Sequence, residues 1–158
     1  MKGKAFFCMI CLMAMLAVGC SDGRVYDHYD NTPLSGWDKA DRLYYDIPAL
    51  KDSGWYAMDL GLRVNAAYPF LSLTLIVDQT AYPSQKSRVD TINCCLRDSD
   101  GKVRGQGIIF YQYHFQVSAL KLQQGDSLHV TVRHDMKRDI LPGISDVGIS
   151  LRHMMRSE

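Results

Sequence analysis

Two consecutive runs put an apolar residue at every second position: Tyr56, Met58, Leu60, Leu62 and Val64, then Leu71, Leu73, Leu75 and Val77. No other feature of the chain restricts its fold as much. A strand turns successive side chains to opposite faces, so period two buries one face and leaves the other polar, whereas a helix needs apolar positions three and four apart. The alternation recurs in Leu43, Tyr45 and Ile47, ended by Pro48, and in Ile92, Cys94 and Leu96, ended by the turn-forming Asp98-Ser99-Asp100-Gly101. It appears again in Ile109, Tyr111, Tyr113 and Phe115, in Leu128, Val130 and Val132 after Gln124-Gly125-Asp126, and in Val147, Ile149 and Leu151. Helical spacing is faint and confined to residues 117–123. The expectation is an all-β domain, an antiparallel β-sandwich of about seven to eight strands, immunoglobulin-like or jelly-roll, with its strand topology left open.

The first twenty residues follow a different logic. Lys2 and Lys4 precede an apolar stretch over residues 5–18, which closes on Gly19 and Cys20. That is the order of a charged region, a hydrophobic region and a cleavage site, and the stretch is shorter than the ~20 residues a spanning helix needs. Ala17-Val18-Gly19-Cys20 resembles the bacterial lipobox, whose cysteine thiol is joined to diacylglycerol, with Ala17 where most such boxes carry leucine. The expected organisation is a lipoprotein signal peptide over 1–19, a lipidated tether over 20–36 that adds at most one short strand, and the sandwich over 37–158. Plain secretion is the alternative outcome of the same segment. Several acyl chains on Cys20 hold a protein stably at a bilayer, since each buried methylene adds ~0.8 kcal/mol.

Cleavage after residue 19 leaves 139 of the 158 residues, enough to bury a core without staples. It also removes two of the 18 Lys plus Arg, so 16 face 17 Asp plus Glu, and this balance gives no reason to expect nucleic acid as a partner. Only Cys94 and Cys95 remain in the domain once Cys8 and Cys11 leave and Cys20 takes lipid. Neighbours on a strand point apart, so Cys94 is expected in the core and Cys95 in solvent, unbridged. A strained vicinal disulfide is the minor alternative.

Catalytic patterns are sparse. His28, His114, His129, His134 and His153 are scattered, without the spacing of a metal site, so no metal and no cofactor is expected. No G-x-S-x-G string exists, Glu158 is the single glutamate, and Gly101, Gly105 and Gly107 flank a turn that no helix follows. Aromatic residues are plentiful, and on a sandwich they either fill the core or stack on sugars and partner proteins. Tyr68-Pro69-Phe70, in the bend between the two strongest strands, is the preferred exposed group, with Arg63 and Asn65 leading into it.

Six strings then recur in one order along the chain: Gly36-Trp37-Asp38-Lys39, Asp52-Ser53-Gly54, Leu62-Arg63-Val64-Asn65, Tyr68-Pro69-Phe70, Asp90-Thr91-Ile92-Asn93-Cys94 and Leu141-Pro142-Gly143-Ile144-Ser145-Asp146-Val147-Gly148. Following a lipobox, this order resembles the GldH family of gliding-motility lipoproteins of the Bacteroidota. The resemblance implies a lipid-anchored envelope protein, on the periplasmic side of the outer membrane, associated with the gliding machinery and its secretion system. In a non-gliding host it implies a general envelope or secretion role. It implies no enzyme activity and no catalytic residue.

The function expected is therefore a non-enzymatic accessory or scaffolding lipoprotein that meets envelope protein partners. Arg63, Asn65, Tyr68, Phe70, His134 and Asp146 are the expected partner surface, His134 being placed in a charged loop with Asp135. The alternative is a carbohydrate-binding sandwich, which requires Trp37, Trp55 or Tyr68 to form an exposed aromatic pair.

Overall fold

A computed structural model describes residues 23–154, so the signal segment and Cys20 lie outside the described residues. Every regular element in them is a strand: β1 (Arg24–Asn31), β2 (Trp37–Asp38), β3 (Leu43–Ile47), β4 (Gly54–Asn65), β5 (Ser72–Tyr82), β6 (Lys86–Cys95), β7 (Phe110–Leu122), β8 (Ser127–His134), β9 (Ile140–Leu141) and β10 (Ile144–Met154). Two antiparallel four-stranded sheets, ordered β1-β10-β4-β7 and β3-β8-β5-β6, form the sandwich, and β2 pairs with β9 as a separate short ribbon.

The period-two residues do what their spacing demands. Tyr56, Met58, Leu60, Leu62 and Val64 of β4 meet Val147, Ile149 and Leu151 of β10 and, from the other sheet, Leu73, Leu75, Val77, Val130 and Val132, all buried. Cys94 is buried, Cys95 is exposed, and both are free thiols. Two positions depart from the expected runs: Leu71 and Ile109 precede their strands and are exposed, because β5 starts at Ser72 and β7 at Phe110.

Residues 117–123 are not helical; β7 runs through them to Leu122. Tyr111, Tyr113 and Phe115 oppose Val64, Leu62 and Leu60, but beyond a register shift Ser118, Leu120 and Leu122 oppose Met58, Tyr56 and Gly54. The inward phase switches from odd to even numbers at this bulge. The interrupted period is what gives the sequence its helix-like spacing.

The bulge also delivers a polar link between the sheets. Ser118 Oγ donates to Gln79 Oε1 at 2.7 Å, Gln79 Nε2 donates to Asp90 at 2.7 Å, and Arg88 grips Asp90 at 2.7 and 2.8 Å. The Arg88 hydrogen bonds are the main reason the Asp90 carboxyl is held below its usual range. Tyr45 Oη makes a second link, donating to the Val147 carbonyl at 2.8 Å.

The stretch before Trp37 does more than tether. β1 is eight residues long and completes one sheet as its edge, pairing with β10 from Arg24 opposite Arg152 to Asn31 opposite Asp146.

Candidate functional site

Strand register lines up the outward residues of the β1-β10-β4-β7 sheet in rows across four strands. One row is Asn31, Asp146, Arg63 and Gln112, the next Tyr29, Gly148, Gly61 and His114, and the third Asp27, Ser150, Asp59 and Gln116. All twelve are polar residues or glycine, so this face presents hydrogen-bonding groups over its middle and has no large aliphatic side chain there. All of these but Asn31 and Asp146 line an open concave space of about 690 Å³ that also reaches Arg24 and Arg152.

Its floor depends on missing side chains. Gly61 lies opposite Gly148, and the Tyr29 ring lies across both. A Cβ on Gly148 would stand 2.6 Å from the Tyr29 ring, and one on Gly61 would meet the Tyr29 hydroxyl. The Arg63 guanidinium sits 4.8 Å from the centre of the same ring, a cation–π contact that holds it over the groove. Burial raises the Tyr29 phenol above its ordinary pKa, and the nearby Asp27 carboxylate adds to this.

Three arginines and three aspartates alternate around the floor. Arg24 pairs with Asp27, while Arg152 to Asp59 and Arg63 to Asp146 are both 3.9 Å. The Arg152–Asp59 pair is long and partly exposed and contributes little to stability, so the Arg152 guanidinium can turn toward a ligand at small cost, whereas Arg63 is also engaged over the Tyr29 ring. Asp146 is the better held partner, accepting from Asn31 Nδ2 at 2.8 Å and Ser145 Oγ at 2.7 Å. Gln112 and His114 are joined at 3.1 Å on the β7 side. Such a face can offer donors and acceptors in alternation. Among the described residues no group of three or more His, Cys, Asp or Glu could hold a metal ion.

Of the residues expected from sequence, the structure brings Arg63, Asn65 and Asp146 to one corner, where Asn65 N–H donates to the Gly143 carbonyl at 2.8 Å. Tyr68 is not exposed. It is buried, with its hydroxyl donating to the Ser72 carbonyl at 2.8 Å and its ring meeting Phe70 edge-on, while Phe70 is half-buried. The bend folds inward because β5 starts late and Tyr68 fills the end of the core. His134 is not in a loop either. It ends β8, fully buried, with its ring against Trp37 and Nε2 3.2 Å from the Trp37 carbonyl. With Trp37 and Tyr68 both buried, Trp55 alone of the three stacking candidates is exposed.

Tyr29, Asp59, Gly61, His114, Gly148 and Arg152 were not singled out from sequence. Their signal lies in the neglected phase of the same strands: Asp59, Gly61, Arg63 in β4, Gln112, His114, Gln116 in β7 and Asp146, Gly148, Ser150, Arg152 in β10.

A family described as GldH lipoprotein matches residues 24–151. A gliding motility lipoprotein, GldH, from Flavobacterium johnsoniae is 31% identical over 150 residues, covering 90% of this chain and 93% of that one. Among solved structures, a family GH115 4-O-methyl-alpha-glucuronidase is similar at TM-score 0.48 and 11% identity, covering 86% of this chain but only 18% of the other. A carbohydrate-binding module specific for non-crystalline cellulose gives 0.45 at 9% identity, covering 80% and 73%. Another, from Cellvibrio mixtus lichenase 5A, gives 0.40 at 11% identity, covering 84% and 90%. Likeness at these scores carries no argument about ligand or activity.

Proposed function

This chain belongs to the GldH lipoprotein family, and from that membership we propose that it serves as a non-catalytic accessory of the gliding-motility and secretion machinery. In this proposal Cys20 carries the lipid, the protein is held at the outer membrane facing the periplasm, and the concave polar face of the β1-β10-β4-β7 sheet receives a protein partner. The observation that supports the face is its three rows of outward polar residues floored by Gly61, Gly148 and Tyr29.

A surface of alternating Arg, Asp, Gln and His suits another mixed-charge protein surface, because complementary charge fixes register and rejects wrong partners. The aromatic pair needed for stacking sugars is missing from this face. Lipid tethering lets modest affinity suffice, since confinement to one membrane raises the effective concentration of both partners.

The test is affinity capture from crosslinked envelopes of the native host. Wild type is expected to recover a motility or secretion component, and a variant carrying Arg63→Glu and Arg152→Glu is expected to lose it. Recovery of no envelope protein by wild type sinks the scaffold proposal. Equal recovery by the variant moves the contact off this face.

A further inference from the structure

The described chain enters the sandwich at one of its two ends, where β1 begins. Arg24 opens β1 opposite Arg152, while Trp55 lies between Met154 and Lys121, so the start of β1, the start of β4 and the ends of β7 and β10 share this end. Residues 123–126 cross from β7 to β8 here, which brings the Tyr82–Ser127 pair of the second sheet to the same end. Three large exposed side chains stand at this end, Trp55 and Met154 on the outer side of the first sheet and Tyr82 on the outer side of the second, with Trp55 52% exposed. Lys51, Lys86 and Lys121 stand exposed around them, and none of the three has an ion pair among the described residues. Asp46, Asp52 and Asp126 are the opposing charges: Asp46 pairs with His129 at 2.6 Å, and Asp126 accepts from the Gln123 N–H at 2.9 Å. A cavity of about 390 Å³ opens here between the edges of the sheets, lined by Ala81, Leu120, Leu122 and Leu128 with Lys86 and Lys121.

Chain length limits how far this end can stand from Cys20. Four residue steps separate Cys20 from Arg24, which at full extension reach ~14 Å. The twelve residues of β4 span ~40 Å, so with Cys20 acylated as proposed above this short a tether keeps the start of β1, and with it the end that carries Trp55, within reach of the bilayer.

Resting on the lipid anchor proposed above, we propose that this end is a seat for the membrane surface, in which Trp55, Tyr82 and Met154 enter the headgroup layer and Lys51, Lys86 and Lys121 face lipid phosphates. Tryptophan and tyrosine favour that layer because their rings are apolar with one polar edge, and lysines gain from anionic headgroups while their stems lie on apolar surface. The seat orients the domain as well as holding it, and so fixes the direction in which the polar groove faces.

The chain has two tryptophans, and Trp37 is fully buried, so Trp55 reports on lipid contact by itself. The full lipidated protein is reconstituted into vesicles of two parts phosphatidylcholine to one part phosphatidylglycerol with brominated acyl chains. The expected result is flotation with the vesicles and loss of Trp55 emission, with Trp55→Phe floating equally and showing only unquenched Trp37, which also certifies the fold. Lys51→Glu, Lys86→Glu and Lys121→Glu combined are expected to float but to be quenched less. Flotation with identical quenching in wild type and Trp55→Phe overturns the seat while the anchor stands. Undiminished quenching in the charge-reversed protein removes the lysines from it, and failure to float removes the anchor and the seat together.

Discussion

Tyr29 occupies the space that two Cβ atoms would take, and the groove floor exists because Gly148 and Gly61 leave it free. The contact at Gly148 is with the Cγ side of the ring, 2.6 Å from an added Cβ, close to where the side chain joins the backbone, so the ring cannot swing clear without leaving both glycines. Gly148→Ala is therefore expected to destabilise the domain by ~1–3 kcal/mol, the usual cost of overpacking, measured by urea unfolding. In a Tyr29→Ala background the same change should be neutral or slightly stabilising, because alanine restricts the unfolded chain more than glycine and nothing opposes it. An equal loss in both backgrounds would place the constraint in the backbone instead of the ring. Gly143 is small for a different reason: its φ is +79°, and a Cβ there would collide with the Tyr68 backbone nitrogen.

At the level of elements, alternation decides accessibility residue by residue. Cys94 and Cys95 are one position apart at the end of β6, yet one thiol is in the core and the other in solvent. Burial pushes the Cys94 thiol up to about 12, which keeps it protonated and unreactive at neutral pH. Peptide mapping of the native protein after maleimide treatment at pH 8 should find Cys95 labelled and Cys94 spared, with Cys94 reacting only in denaturant. Simultaneous labelling of both would mean that β6 opens at its end. The alternating middles of β4, β5, β8 and β10 were legible from sequence, though β5 runs on five residues past Val77 to Tyr82 and β10 extends three residues beyond Val147–Leu151 at each end. β7 was legible only up to its bulge, since the phase change at residues 117–118 comes from how the strand pairs with β4 and leaves no local mark. β1 was read mainly as tether because its residues are largely polar. An edge strand with one solvent-facing side needs little apolar content once β10 supplies hydrogen-bonding partners.

For the whole molecule, a fully enclosed histidine links stability to pH. His134 is completely enclosed, and burial moves its pKa below the ordinary 6.5, the bond to the Trp37 carbonyl opposing only in part. In the unfolded chain it takes a proton near 6.5, whereas in the folded protein it stays neutral to lower pH. Below about 6.5 the unfolded state thus binds more protons, and stability falls with falling pH until the folded imidazole also titrates. Urea unfolding at pH 7.5 and 5.0 should show this loss, and His134→Gln, which keeps a donor for the Trp37 carbonyl, should reduce the pH-dependent part. Identical pH dependence in the two proteins would assign the loss to other groups.

From its own residues the chain determined an all-β body, its inward-facing positions and the split between Cys94 and Cys95, because period two is a local property that any pairing must satisfy. The order β1-β10-β4-β7, the stacking of Arg63, Gly61 and Asp59 beside Asp146, Gly148 and Ser150, and the burial of Tyr68 and His134 came only from the tertiary structure. Those features depend on which distant strands hydrogen-bond and in what register, and on which loop closes the end of the core. The free energy of such long-range pairings is shared among many residues, so no short stretch of sequence records it.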